Sequence, residues 1–205
     1  MTSYDLIIKD LGQDISLLSR RAQTALYWAS GSALLPEYRR WAAEVGRSNE
    51  GVIAEALHGA SEFAVSGSRP LADLGLRDSL LKFAPGDEST DRVSPIPAQD
   101  CWICADISFR LASDGFNKVA EGIWYILEPM FQATSLSLHG LMTVDGLPDE
   151  EMLTRQILAD KAMRAAADFC SQSLAELKRN PGPSPADLAK LLEGAEVIRP
   201  KGPHS

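Results

Sequence analysis

Apolar side chains recur every three to four positions along most of the chain, which is the spacing of an amphipathic α-helix. The pattern is most regular after Asn49, where one helical face carries Val52, Ile53, Ala56, Leu57, Ala60, Phe63 and Ala64. The alternation of apolar and polar residues that is typical of strands never persists beyond a few positions. The sequence therefore predicts an all-α protein, built as a single bundle of about seven to nine helices.

Prolines and glycines divide the first half of this pattern into segments. Ser3 is placed to cap a first helix, and Pro36 has the preference of the first position of a new helix. Gly46 follows the last apolar residues of that helix and is expected to end it.

The second half contains the most apolar stretch of the chain, residues 117–138. We expect this stretch to form the central, most buried helix, with a kink at Pro129, because proline removes a backbone donor. The acidic residues at 149–151 are expected to open a long helix that ends before Asn180, since acidic side chains stabilise a helix N-terminus.

A loop over residues 84–97 is predicted to join the two helical halves, because it holds three prolines together with glycine, serine and aspartate. Neither half is long enough to close a core alone. The sequence therefore predicts one domain over residues 1–195 and a flexible tail over 196–205.

The acidic net charge of the chain limits the classes of molecule that it is expected to bind. The chain has 20 basic and 28 acidic residues, a formal net charge of −8 at pH 7. No basic surface is indicated that would bind nucleic acid, and anionic membranes would repel the protein. A basic protein partner would be attracted to it, although acidity also serves solubility alone. We find no leader segment and no apolar run that could span a bilayer, and we expect a cytoplasmic location.

The most tempting chemical motif is the C-x-x-C formed by Cys101 and Cys104. A redox pair of this kind needs a preceding strand, and a zinc site needs two further ligands. The remaining candidates are Cys170 and three isolated histidines, which do not have ligand spacing. Burial of the cysteines within helices is the favoured interpretation, and no metal or other cofactor is predicted.

Helix carboxylates and histidines are the alternative source of chemistry. Glu121 and Glu128 are seven residues apart, on nearly the same face of an apolar helix. Helix bundles use such carboxylates as metal ligands, but those sites also need a Glu-x-x-His pair on each of two partner helices, and the sequence does not supply both. His58 and His139 are isolated in the sequence, so no catalytic residue is predicted.

Three aromatic side chains are candidates for a protein interface: Tyr38, Trp41 and Trp102. Tryptophan and tyrosine anchor many interfaces when they are exposed. The alternative is that they belong to the core, as most aromatic residues do.

The sequence from Ala33 to Tyr38, followed by Trp41 and by the apolar face after Asn49, resembles the YjaG-like family. The step Leu34-Leu35-Pro36-Glu37-Tyr38 and the acidic helix entry at 149–151 carry this resemblance. It implies a small, all-helical, bacterial and cytosolic protein. It implies no activity and no functional residues.

Together these features favour a non-enzymatic protein that binds another protein, of the immunity or antitoxin type. Two alternatives remain open. One is an enzyme whose site is assembled in the fold from Glu121, Glu128, His139 or the cysteine pair, in a shared pocket. The other is a structural or regulatory helical homo-oligomer, such as a homodimer.

Overall fold

A computed structural model describes residues 2–47, 50–70, 74–85, 96–113, 116 and 118–200. These ranges contain helices and no strand, which confirms the all-α prediction. Nine helices have nine or more residues, and a single turn and a 3₁₀ turn complete the set. In chain order they are α1 (Ser3–Ser16), α2 (Arg20–Glu44), α3 (Glu50–Ser66), α4 (Leu74–Lys82), α5 (Ile96–Ser113), α6 (Val119–Gly122), α7 (Trp124–His139), α8 (Glu150–Ala159), α9 (Lys161–Arg179), α10 (Pro185–Ala195) and the 3₁₀ turn Glu196–Ile198.

Helices α2 and α5 form the centre of the bundle, and α3 packs against both. Gly31 lies at the crossing of α2 and α5. A Cβ atom there would lie 3.3 Å from the backbone nitrogen of Ala105 and 3.0 Å from Leu57 on α3. The absence of a side chain at Gly31 therefore lets the three helices approach closely.

Helix α2 runs through Pro36 without a break, which corrects the prediction of a new helix at that residue. Pro36 is exposed, whereas Leu34, Tyr38 and Trp41 around it are buried. Packing of this apolar face on both sides of the proline outweighs the missing hydrogen bond, since most helix stability in proteins comes from tertiary contacts.

Gly46 ends α2 as the sequence predicted. Its φ angle is +70°, in the left-handed region that glycine adopts without strain. Its N–H donates to the carbonyl of Ala43, and the N–H of Arg47 donates to that of Ala42 at 2.7 Å. These two bonds are those of a Schellman motif, which satisfies the last carbonyls of a helix.

The apolar segment 117–138 is divided, and it lies beside the centre rather than in it. The break is at Ile123, between α6 and α7, whereas Pro129 lies inside α7. Gly122 ends α6 at this break, and it packs against Tyr27 and Ile107 so closely that no side chain fits there.

Local capping differs from the prediction at two further helices. Thr2 rather than Ser3 caps α1, in a capping box with Asp5. The long helix predicted after residue 149 is two helices, because Asp160 adopts an extended conformation and caps α9 through the N–H of Ala162 at 2.7 Å.

The beginning of the predicted C-terminal tail is folded against the bundle. Residues 196–200, which the sequence assigned to the tail, include the 3₁₀ turn, and Ile198 in it is fully buried. Residues 201–205, and residues 86–95 of the predicted loop, lie outside the described part of the chain. None of the described helices is both long enough and apolar enough to cross a bilayer.

Candidate functional site

The three aromatic interface candidates belong to the interior. Tyr38 and Trp41 are 0% exposed, and Trp102 is half-buried. The Trp102 indole donates to the carbonyl of Leu80 at 2.8 Å, and the Tyr38 hydroxyl donates to that of Phe83 at 3.4 Å. Leu80 belongs to the last turn of α4, and Phe83 directly follows that helix. Tyr38 and Trp102 therefore attach the end of α4 to the bundle. The full burial of Tyr38 and Trp41 corrects their prediction as a contact surface.

The cysteine pair contributes to the packing of the centre. Cys101 and Cys104 are fully buried on α5, and the Cys101 sulfur contacts the Gly31 carbonyl at 3.3 Å. Burial raises the pKa of both thiols above the ordinary value, and it raises the pKa of Cys170 to about 12. A thiol without solvent access and with a raised pKa is a poor nucleophile. The small cysteine side chains fit where α2 and α5 cross.

The other candidate chemical groups are not brought together. Glu121 is exposed beside Lys118, in a depression between α1 and α6. His139 lines a different depression, beside Gln156 of α8, and the two depressions share no lining residue. Within the described ranges, no three His, Cys, Asp or Glu side chains are placed to hold a metal ion.

Glu128 has a partner that sequence reasoning missed. It lies on α7, half-buried, within hydrogen-bonding reach of the Asp100 carboxyl group on α5. Asp100 is 1% exposed. Burial, the negative charge of Glu128 and the hydrogen bond to it all raise the Asp100 pKa well above its ordinary value. The pair joins two helices that are far apart in the sequence, and neither residue type nor spacing indicates it.

Tyr4 of α1 lies beside this carboxyl pair. Its ring stacks on Phe131 with a centroid distance of 4.2 Å and meets Trp124 edge-on at 4.9 Å. Burial raises its pKa, as do the nearby Glu128 and Asp100. The Tyr4 hydroxyl and the Asp100 Oδ2 atom are both buried and have no hydrogen-bond partner among the described residues. This polar cluster is enclosed by α1, α5 and α7.

Six of the ten exposed large apolar side chains in the described part of the chain lie between the last turns of α7 and the first turn of α8. Six large side chains between residues 136 and 152 are each at least 38% exposed. We name this group the 136–152 surface; it consists of Leu136 (50%), Leu138 (48%), Leu141 (39%), Met142 (38%), Leu147 (38%) and Met152 (51%). Isolated exposed leucines are common on proteins, but a concentration of this kind is typical of an interaction site.

The connection between α7 and α8 is anchored even though most of its side chains face outward. Val144 in its middle is 0% exposed. Gly140 and Gly146 adopt φ angles of +68° and +74°, which few other residues tolerate. Leu138 and Met152 line two depressions that share Gln156 and Ala159 of α8. The apolar side chains are therefore presented on a defined backbone.

Acidic residues lie beside two members of this surface: Asp149 and Glu151 line the depression of Met152, and Asp160 lines that of Leu138. Residues 136–160 contain five acidic residues and one basic residue, Arg155. Glu151 accepts a hydrogen bond from the Ser3 hydroxyl at 2.5 Å and from the Ser3 N–H at 3.0 Å, and it pairs with Arg155 at 2.7 Å. The Ser3 hydroxyl and Arg155 lower the Glu151 pKa to about 2, so the carboxylate stays charged. The surface is thus apolar with a negative border.

Sequence reasoning placed only the helical members of this group, Leu136, Leu138 and Met152, on apolar helix segments. Leu136 belonged to the predicted central helix, and Met152 to the apolar face of the predicted long helix. The break at Asp160 shortens α8 to ten residues, and its first turn leaves Met152 outside. One signal was present in the sequence: Leu141, Met142 and Leu147 lie in a segment with turn residues, where polar side chains are expected.

Comparison with solved structures shows a fold of the same kind. The crystal structure of a DUF416 family protein from Shewanella baltica OS155 matches with a TM-score of 0.66, over 91% of this chain and 92% of that chain. The sequence identity is 16%, so the likeness shows a shared fold alone. No family model and no curated protein matches the chain. The resemblance to the YjaG-like family stays a prediction.

Proposed function

We propose that this chain is a non-enzymatic, protein-binding helical domain that docks a basic protein partner on the 136–152 surface. The observation that carries the proposal is the exposure of six leucine and methionine side chains at the end of α7, on the anchored connection and at the start of α8. Burial of such side chains is the main favourable term in protein association. Methionine adapts its shape to a partner, which suits a docking surface.

Charge complementarity indicates the chemistry of the partner. Five of the six charged residues within 136–160 are acidic, and Arg155 is already paired with Glu151. A partner with lysine or arginine around an apolar patch would be attracted and oriented by this border. An amphipathic helix with one apolar face and flanking basic residues fits the description.

Within this class we favour an immunity-type or antitoxin-like role in the cytoplasm, in which the acidic domain neutralises a basic toxin. The net charge of −8 supports fast capture of such a partner. Three free cysteines support a reducing compartment. To neutralise the toxin, the docked domain must cover the part of the toxin surface that carries its activity.

The test uses a synthetic amphipathic helix of leucine and lysine as the probe, labelled for fluorescence anisotropy. We expect binding to the native protein that weakens as salt is added, because the border attraction is screened. The double variant Leu138→Ser with Met152→Ser should weaken binding at least about tenfold, since two apolar contacts of about 1 kcal/mol each are lost. A leucine and glutamate helix should not bind.

Leu17→Ser is the matched control. Leu17 is 76% exposed on α1, outside the 136–152 surface, so its replacement should leave probe affinity unchanged. Equal loss with Leu17→Ser, or equal binding of the acidic helix, would contradict the proposal. Sedimentation velocity tests the alternative that the chain forms a homodimer. A dimer that dissociates when the double variant is introduced would assign the surface to a second copy of the chain.

A further inference from the structure

The sulfur-bearing side chains in the described part of the chain fall into two groups. Five are buried in the bundle: Met130, Met163, Cys101, Cys104 and Cys170. The other two, Met142 and Met152, are exposed, and both belong to the 136–152 surface. In the native protein, an oxidant that arrives from solvent therefore meets sulfur first at this surface.

The buried thiols do not compete for such an oxidant. Cysteine reacts as the thiolate, and each of the three thiols is 0% exposed among packed helices. A reagent reaches them only when the bundle opens locally. A methionine thioether has no proton to lose, so its reactivity depends on access to the sulfur atom.

Both exposed methionines lie on backbone that other residues hold in place. Met142 belongs to the connection between α7 and α8, in which Val144 is fully buried. The Gly146 N–H donates to the Glu150 carboxylate at 3.0 Å, which ties this connection to the first turn of α8, where Met152 lies. A chemical change at either methionine side chain should therefore alter the surface and leave the fold intact.

The surroundings of Met152 accommodate an added oxygen atom. Met152 lines a depression together with Arg155 and Gln156, whose side chains carry N–H donors. A sulfoxide is polar and accepts hydrogen bonds, whereas a thioether accepts them only weakly. The oxidised side chain is thus well solvated on the free protein. Burial of its oxygen atom beneath an apolar partner would cost free energy.

We propose that Met142 and Met152 form a peroxide-sensitive modification site that regulates docking on the 136–152 surface, an inference that rests on the proposed function. Hydrogen peroxide transfers one oxygen atom to each sulfur: the O–O bond breaks, an S–O bond forms and water leaves. The sulfur is oxidised by two electrons, and the peroxide is reduced by two. Methionine sulfoxide then places polar groups among the apolar side chains, which weakens contact with an apolar partner.

The experiment treats the native protein with dilute hydrogen peroxide, removes the excess with catalase and follows each methionine by peptide mass spectrometry. We expect Met142 and Met152 to oxidise at least about tenfold faster than Met130 and Met163, because the buried pair requires local opening. When both exposed sites are oxidised, the affinity of the leucine and lysine helix should fall about tenfold through the loss of two apolar contacts. Methionine sulfoxide reductases with a dithiol should restore the affinity.

Met142→Leu with Met152→Leu is the test variant, because leucine has a similar volume and no oxidisable sulfur. Whatever its starting affinity, this variant should bind the helix equally before and after peroxide. Adding Leu17→Met to it places an exposed thioether on α1, outside the 136–152 surface. Oxidation at that position should also leave the affinity unchanged.

A loss of affinity in the double leucine variant that matches the loss in the native protein would overturn the proposal. Oxidation of Met130 or Met163 as fast as the exposed pair would do the same. Failure of the helix to bind the untreated protein would reject the docking surface itself. Undiminished binding after Met142 and Met152 are oxidised would reject the regulation alone, so the two failures are distinguishable.

Discussion

Gly122 packs directly against Tyr27. A Cβ atom at Gly122 would lie 2.5 Å from the Tyr27 hydroxyl oxygen and 2.7 Å from Ile107 Cδ1. The same hydroxyl donates a 2.5 Å hydrogen bond to the carbonyl of Val119, in the turn that Gly122 ends. Because Tyr27 and Ile107 lie on α2 and α5, this contact seats α6 on the two central helices.

Gly122→Ala is expected to destabilise the fold by about 1–3 kcal/mol, since the added methyl group has no space. Urea unfolding measures the change. Gly51→Ala is the control: nothing lies within 4 Å of a Cβ atom at that exposed position on α3. There alanine should stabilise the protein by about 0.5–1 kcal/mol, because glycine weakens a helix. Equal effects of the two substitutions would contradict the close packing at Gly122.

The break between α8 and α9 gives a second prediction. Asp160→Ala should cost about 1 kcal/mol of unfolding free energy, because the N–H of Ala162 loses its capping carboxylate. Asp149 precedes α8 but makes no side-chain capping bond, so Asp149→Ala should cost about 0.5 kcal/mol or less. If chemical denaturation gives the same loss for both, the capping role of Asp160 is not supported.

The buried thiols give a third prediction. Cys101, Cys104 and Cys170 are fully buried, and burial raises the pKa of each. A thiol reagent at pH 8 should label the native protein at least about a hundredfold more slowly than the urea-unfolded chain, because labelling requires local opening. Rapid labelling of Cys101 or Cys104 in the native state would restore the redox interpretation of the C-x-x-C motif.

Glu151 gives a prediction for acidic pH. Its pKa is lowered to about 2 by the Ser3 hydroxyl and Arg155. A lowered pKa adds stability above the ordinary glutamate pKa, and this stability is lost as pH falls toward about 2. The native protein should therefore exceed Glu151→Gln in stability at pH 7, and the difference should shrink below pH 4.5.

Ser3→Ala provides the control for this pH dependence, because it removes the donor and leaves the carboxylate. It should reduce the pH-dependent difference between Glu151 and glutamine at position 151. A difference that stays the same from pH 7 to pH 2.5 in thermal or urea unfolding would show that Glu151 acts through its shape rather than its charge.

Features that depend on interactions between neighbouring residues could be predicted from the sequence. The apolar face of α3 followed from helical spacing, and Ile53, Ala56, Leu57 and Phe63 on it are buried. The end of α2 followed from Gly46, because a left-handed residue is almost specific to glycine. Helix class and such stop signals depend on a few neighbouring residues, so the sequence alone determined them.

The position of each face within the bundle was decided by contacts between distant segments. Tyr38 and Trp102 donate hydrogen bonds to acceptors at the end of α4 that are 45 and 22 residues away in the sequence. Asp100 of α5 likewise faces Glu128 of α7. No periodic pattern shows such pairings. Whether an apolar side chain is buried also depends on how closely a partner helix packs, and beside α8 Leu138 stays 48% exposed. The sequence determined that helices form, whereas tertiary packing decided which side chains remain exposed, because burial is a property of the assembled helices.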